Sequence, residues 1–321
     1  MASARTPEKK ERGLACPALR RHAPAPLVMN RLHSRASAKV NLTLRILGKR
    51  ADGYHNLVSL VAFAKVGDEL AFSAGGRLDL DLGGPNAAAM GAASDNLVLI
   101  AARELAERIE GLKLGRFKLT KHLPVGAGLG GGSADAAAAL RLLAKANDLD
   151  LQDPRILTAA GETGADVPVC LQEKARLVGG IGDRLAPPIH LPPLPAVIVF
   201  PGEPLATDEV FASYDELGVE SLSGSFVDHP ESGAVPLERG KLIAFLHTQT
   251  NDLARAAHQL SPAITIAEER LHQTSGARLV RMSGSGSSVF ALYDDGALAE
   301  KAAEEIRAER SDWWVAATTL G

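Results

Sequence analysis

Residues 124–140 read P-V-G-A-G-L-G-G-G-S-A-D-A-A-A-A-L, and this stretch decides the fold. Five glycines, Gly126, Gly128, Gly130, Gly131 and Gly132, fall within seven residues, and an alanine run suited to a helix follows. Glycine permits positive φ and lets another group approach the backbone closely. A glycine loop that feeds a helix start gathers unpaired N–H donors at the positive end of the helix dipole. Such a site binds anions, most often phosphate. The loop is not a Walker A motif, because Gly132 stands where that pattern requires lysine. A dinucleotide fingerprint fits loosely as Gly126-x-Gly128-x-x-Gly131. However, Lys118, Lys121 and His122 just before it argue against a buried parallel strand. No ribose-binding carboxylate follows in a second strand about 20 residues on. A flexible linker is the bland alternative, and the strand–loop–helix context disfavours it.

Working outward, the chain of 321 residues suits one large or two modest domains. It is 46% hydrophobic but only 4% aromatic, so its core is expected to be aliphatic and alanine-rich. The net charge of −3 divides unevenly, about +6 over residues 1–35 and −9 over the rest. An acidic body lacks the basic footprint of a nucleic-acid binder. The two cysteines, Cys16 and Cys170, offer neither a disulfide framework nor metal-ligand spacing, which fits a reducing, cytoplasmic location. No apolar stretch of 18 residues occurs, so no membrane span is expected. Residues 1–32 are rich in Arg, Pro and Ala without apolar period and read as a disordered or spurious extension, with Met29 as an alternative start. A secretory signal fails for want of an apolar segment, and Glu8 and Glu11 weigh against a transit peptide.

Periodicity predicts strands at 37–48, 57–63, 69–72, 78–82 and 114–120, with helices at 96–109, 133–146 and 153–161. Five prolines within 187–195 mark the best domain boundary, which divides 33–188 from 189–321. The second half reads as strand 196–200, helix 207–217, a long polar loop at 218–235, helices 238–247 and 251–274, strands 278–282 and 288–293, helix 296–308 and strand 313–319. Strands mixed with helices in this order indicate an α+β fold.

Three further segments carry chemical residue types in odd places. Lys39 sits among apolar residues of the first strand, in A-K-V-N-L. A lysine there needs an anionic partner, or must snorkel from an edge strand. Asp166, in T-G-A-D-V-P, reads on its own as a turn or cap aspartate. R-M-S-G-S-G-S-S at 281–288 reads as a hairpin turn that could close on a ligand.

Taken together, these motifs resemble the GHMP kinase superfamily of galactose, homoserine, mevalonate and phosphomevalonate kinases. The hallmarks occur in order: the early strand, the glycine loop at 124–133, and S-G-S-G at 283–286. A-K-V-N-L-x-L at 38–44, A-D-G-Y-H at 51–55, S-D-N-L-V at 94–98 and G-A-D-V-P at 164–168 narrow the likeness to members that act on a cytidine-diphosphate-tagged alcohol. The resemblance covers about 33–320. It implies a two-domain GHMP kinase fold: a ribosomal-protein-like N-terminal β/α domain, a ferredoxin-like C-terminal α/β domain, and the active site in the cleft between them.

The resemblance also implies an ATP-dependent kinase of the non-mevalonate isoprenoid pathway, using Mg²⁺ and working as a monomer or weak homodimer. Its catalytic pair falls on Lys39 and Asp166. The ATP-contacting residues fall on Pro124, Val125, Gly126, Ala127, Gly128, Leu129, Gly130, Gly131, Gly132, Ser133, Ala134 and Asn96, with Ser133 as the protein contact nearest the metal. Substrate contacts fall on Asn41, Tyr54, His55, Ile181, Phe211, Gly284 and Ser285, with Tyr54 and Phe211 expected on opposite faces of the cytosine. By itself, Phe211 also suits the core face of an amphipathic helix. Ala134 replaces a serine carried by many relatives, and the basic extension has no counterpart in the family pattern. Other GHMP kinases, whose substrates carry no base to stack, are disfavoured by Gly53-Tyr54-His55. A non-catalytic sensor of the same fold is disfavoured by the presence of both Lys39 and Asp166.

Overall fold

The computed structural model describes Met1 and residues 31–218 and 235–321. The expectations for residues 2–30 of the extension and for the long polar loop therefore lie outside the described residues. The first strand, β1 (Leu32–Asn41), begins where the extension was expected to end. It lies antiparallel to β3 (His55–Ala74), a single strand of 20 residues where periodicity gave two. Gly67 allows the continuity: a Cβ there would sit 2.3 Å from the Ala36 carbonyl oxygen, so only glycine lets the two strands pair so closely. The expected strand 37–48 divides into β1 and β2 (Arg45–Lys49). Between them the chain leaves the ladder, because the Leu42 carbonyl accepts from Arg281 Nη1 at 2.7 Å.

The glycine stretch lies between β5 (Gly115–Thr120) and α2 (Gly131–Ala146). β5 pairs parallel with β4 (Asp79–Gly83) and antiparallel with β3. Phe117 and Leu119 are buried while Arg116 and Lys118 face out, so β5 is covered on one face only, as its lysines suggested. Lys121 departs from that reading, since it is buried. Helix α2 packs on β1 and on α1 (Leu97–Arg108), with Ala134 and Ala136 to Ala139 wholly buried. Methyl-sized side chains let the helix approach the sheet closely, and this is the alanine-rich core expected from composition.

The chain continues through α3 (Pro154–Thr163), α4 (Val167–Cys170), β6 (Arg176–Gly180) and β7 (Arg184–Leu185). The second half contributes β8 (Leu194–Phe200), α5 (Thr207–Glu216) and α6 (Arg239–His247). Where one helix was expected over 251–274 there are two, α7 (Ala254–Leu260) and α8 (Pro262–His272). Ser261 is extended, as a residue before proline prefers, and Pro262 opens the second helix. The hairpin of β9 (Ala277–Met282) and β10 (Val289–Tyr293), then α9 (Gly296–Glu309) and β11 (Trp314–Leu320), complete the chain. The strands run in the order β4-β5-β3-β11-β8-β10-β9, with β1, β2 and β6 also on β3. Leu320 of β11 pairs with Ala64 of β3 and joins the two halves of the sheet.

Candidate active site

The bulge between Ser37 and Lys39 sets the register of β1 so that Lys39 faces Phe63 and Asn41 faces Val61. Both side chains then line a cavity of about 810 Å³. Lys39 is 6% exposed, and its Nζ lies 2.7 Å from Asp166 Oδ1. It is therefore a paired interior lysine rather than a snorkelling one. Asp166 occupies the position before α4 but makes no side-chain cap bond, so its carboxylate is left for Lys39. Its side chain remains 41% exposed toward the cavity.

Two glycine-bearing turns meet beside this pair. A Cβ on Gly130 would lie 3.2 Å from the Lys39 stem, and one on Gly128 would lie 2.1 Å from the Gly286 carbonyl oxygen. The Lys39 N–H donates to the Leu129 carbonyl at 2.9 Å, which fixes β1 to the loop. Asn251 Nδ2 donates to the Met282 and Gly284 carbonyls at 2.9 and 2.8 Å, and the Asn41 N–H donates to Ser283 Oγ at 3.0 Å. The late turn is thus tied to β1 as well as to the loop.

On its other side the loop lines a second cavity, of about 450 Å³. Pro124 through Ser133 border it, with Asn96, whose Oδ1 caps α1 by accepting from the Val98 N–H at 2.9 Å. Gly128 and Gly130 border both cavities. Gly130 has φ +63° and precedes α2, whose first N–H groups have no intrahelical partner by geometry. The exception among the expected loop contacts is Ala134. Its side chain is buried in the core, its N–H already donates to the Gly130 carbonyl at 2.8 Å, and it borders neither cavity.

At the far end of the larger cavity stand Tyr54, His55, Ile181 and Phe211. Tyr54 is 61% exposed, whereas His55 is buried and stacked on Phe211 at 5.0 Å and 23°. Phe211 packs against the core and also borders the cavity. Gly284 and Ser285 border the cavity too, and Ser285 Oγ lies 3.0 Å from Thr207 Oγ1 at the start of α5.

Sequence reasoning missed Asp215. It accepts from His55 Nε2 at 2.7 Å and from Lys49 Nζ at 2.6 Å. Partial burial would raise its carboxyl, but these two donors outweigh that and hold it below the usual range. Its place one helical turn after Phe211 was a signal that could have been used. Asp68 and Asp135 were missed as well. They clamp Lys121 Nζ from β3 and α2 at 2.5 and 2.7 Å. Burial pushes the Asp135 carboxyl up to about 7, against the pull of Lys121 and with the push of Asp68.

Two family models match stretches of the chain. Residues 96–174 match the GHMP kinases N terminal domain, and 237–312 match the GHMP kinases C terminal domain. A 4-diphosphocytidyl-2-C-methyl-D-erythritol kinase of Rhodopseudomonas palustris is 50% identical over 90% of this chain and 95% of the relative. One of Methylorubrum extorquens is 49% identical over 91% of this chain and the whole of the relative.

The chain belongs to the 4-diphosphocytidyl-2-C-methyl-D-erythritol kinase family of GHMP kinases.

A crystal structure of a 4-(cytidine 5'-diphospho)-2C-methyl-D-erythritol kinase matches this GHMP kinase with TM-score 0.72 and 33% identity, over 90% of this chain and 99% of that one. A homoserine kinase from Cytophaga hutchinsonii, at TM-score 0.64 and 19% identity over 93% and 98% of the two chains, shares the fold. As kinases, the family uses ATP as phosphoryl donor. Among the described residues, no helix is long and apolar enough to cross a membrane, and no group of three or more His, Cys, Asp or Glu could hold a metal ion.

Proposed function

We propose that this GHMP kinase transfers the γ-phosphoryl group of ATP to the 2-hydroxyl of 4-diphosphocytidyl-2-C-methyl-D-erythritol, giving ADP and the 2-phosphate, within the non-mevalonate route to isoprenoids. The observation that carries the reading is the Lys39–Asp166 pair, 2.7 Å apart beside the glycines that border both cavities. ATP phosphates fit the smaller cavity, and the acceptor alcohol fits the larger. Asp166 takes the proton of the hydroxyl as its oxygen bonds to the γ-phosphorus and the bond to the β-phosphate bridging oxygen breaks. Lys39, paired with Asp166 at 2.7 Å, orients that carboxylate and offsets charge at the reacting centre. The loop N–H groups hold the phosphates, and little else is demanded, since phosphoryl transfer depends on positioning and neutralisation. Asn41, whose Nδ2 is held by Ser59 Oγ at 2.7 Å, orients the acceptor.

Magnesium would arrive on the nucleotide, where it would neutralise phosphate charge. Ser133 borders the phosphate cavity and presents the nearest hydroxyl, and the lack of a carboxylate cluster among the described residues fits a metal carried mainly by phosphates. Cytosine would enter between Tyr54 and Phe211, with His55 and nearby backbone reading its edge. Stacking of this kind contributes about 1–3 kcal/mol per base. Residues 33–188 would carry the ATP loop and catalytic pair, and 189–321 the second wall of the cleft. The chain would act in the cytoplasm as a monomer or weak homodimer. Incubation with ATP, Mg²⁺ and a panel of the cytidyl alcohol, homoserine, mevalonate and galactose, followed by ADP release, tests the reading. Preference for any other panel member would overturn it.

A further inference from the structure

Beneath the glycine loop, three buried charged side chains form a cluster that the transfer chemistry does not use. Asp68, on β3, accepts through Oδ1 from the backbone N–H groups of His122 and Leu123 at 2.6 and 2.8 Å, so it holds the chain as it enters the loop. Through Oδ2 it accepts from Lys121 Nζ at 2.5 Å. The same ammonium donates to Asp135 Oδ2 at 2.7 Å, on the second turn of the helix by which the chain leaves the loop. A Cβ on Gly131, between these anchors, would lie 3.1 Å from Lys121 Nζ, so the ammonium rests directly against the loop's end. Lys121 and Asp135 both border the smaller cavity, and Asp135 Oδ1 is buried with no hydrogen-bond partner among the described residues.

Burying two carboxylates against one lysine is costly, and apolar residues of similar size would hold a strand to a helix at least as well. What an apolar pair could not do is fix both ends of the loop to one point in a single geometry. We propose that Lys121 is the positioning residue of the nucleotide cavity: clamped by Asp68 and Asp135, it sets the spacing between the incoming strand and α2, and thereby the direction of the phosphate-holding N–H groups. The inference rests on the assignment of that cavity to ATP. Lys121 touches neither reacting atom, so its loss acts on nucleotide affinity and leaves the cytidine end alone.

The test measures binding of the ATP analogue AMP-PNP with Mg²⁺, and separately of CDP, by calorimetry. Lys121→Met removes the ammonium. Asp135→Asn keeps the shape and an acceptor oxygen while removing one negative charge of the clamp, and it carries the test if the first variant does not fold. Leu271→Ala, buried in the core on α8 and bordering neither cavity, supplies a protein destabilised without touching the cluster. The expected result is AMP-PNP binding weakened at least fivefold in the cluster variants, CDP binding within twofold of wild type, and nucleotide affinity unchanged in Leu271→Ala. Amide hydrogen exchange over residues 126–133 is expected to quicken in the cluster variants only. Unchanged AMP-PNP binding, or equal weakening of both ligands, overturns the inference while leaving the ATP cavity standing. Failure of the wild-type chain to bind AMP-PNP overturns the cavity assignment itself.

Discussion

Replacing Gly128 by alanine tests whether the two glycine turns must touch for transfer to occur. The new Cβ would lie 2.1 Å from the Gly286 carbonyl oxygen and 2.8 Å from its carbon, both backbone atoms. Close C···O contacts run to about 3.3–3.6 Å, so the turns must part by roughly 1.2 Å. A displacement near 1 Å at a reacting centre costs about 10²-fold in rate, or about 2.7 kcal/mol of transition-state stabilisation. Alanine at φ +72° adds left-handed backbone strain of about 1–2 kcal/mol to the folding balance. Gly111 separates these two effects. It has nearly the same conformation, φ +73°, and nothing within 4 Å of its Cβ position. Gly111→Ala should therefore lower Tm by a few °C and leave turnover unchanged. Gly128→Ala should show a similar or somewhat larger Tm loss and about a hundredfold lower kcat. Steady-state ADP release and thermal melts by circular dichroism supply both numbers. Turnover by Gly128→Ala within threefold of wild type would refute the argument, as would an equal loss in Gly111→Ala.

Asp166→Ala should lower kcat by at least two decades while AMP-PNP still binds, and near-normal turnover would remove it from the role of base. Tyr54→Ala should act mainly on KM for the cytidyl substrate, by about 5- to 150-fold if one stacking face of about 1–3 kcal/mol is lost, and an unchanged KM would place the base elsewhere. Asp215→Ala frees His55 and Lys49, so the same KM should rise with kcat nearly kept; a loss confined to kcat would count against a role at the cytidine end. Asp153 caps α3, and hydrogen bonds from the Arg155 side chain and backbone draw its carboxyl down to about 2 from 3.8. A depressed folded-state value stabilises above the unfolded one and is lost as pH falls through the folded one. The Tm gap between wild type and Asp153→Ala should thus hold from pH 7 to about 5 and narrow as pH drops below 3.8 towards 2; a gap that widens on acidification would contradict the assignment.

Much of this architecture could be read from residue order because local chemistry and tertiary structure agree. The glycine loop, the alanine helix after it and the late S-G-S-G turn lie where periodicity and turn chemistry put them. Disagreements arise where a distant group replaces a local partner. Leu42 and Leu44 keep the alternation of a strand and are both buried, yet the Leu42 carbonyl bonds Arg281 instead of a neighbouring strand. Period-two patterning reports which face is buried and is silent about which donor a carbonyl finds. Periodicity left residues 64–68 between two expected strands, and Gly67 and Asp68 within them are of types depleted in strands. Here Gly67 admits a neighbouring carbonyl and Asp68 is held by Lys121, both through partners far along the chain. In isolation Lys39 was read either as paired or as snorkelling and Asp166 as a turn or cap residue; Asp166 does sit in the turn before α4, but its carboxylate goes to Lys39 and not to a cap bond. Each is explained by the other, and only the family pattern paired them in advance.

With ATP proposed in the smaller cavity, Asp135 on its border poses an electrostatic puzzle, since a carboxylate there should repel phosphate. The arrangement of charge resolves it. The first N–H groups of α2 have no intrahelical partner, and the Asp135 carboxylate lies on the second turn behind them, with Lys121 against it. A phosphate bound there as proposed would have these N–H donors as well as the carboxylate beside it, and burial raises the proton affinity of Asp135, which lessens its negative charge. At the shared wall the order is reversed. Gly130 leaves room for the Lys39 stem at 3.2 Å, so a full positive charge stands beside the acceptor side of the loop, with its own carboxylate 2.7 Å away. A Cβ at 130 or 131 would lie 3.2 Å from the Lys39 stem or 3.1 Å from Lys121 Nζ, so each lysine would have to give by a few tenths of an ångström. Gly130 is required for its left-handed φ of +63° as well as for that space, whereas at Gly131 the constraint is the room that Lys121 occupies.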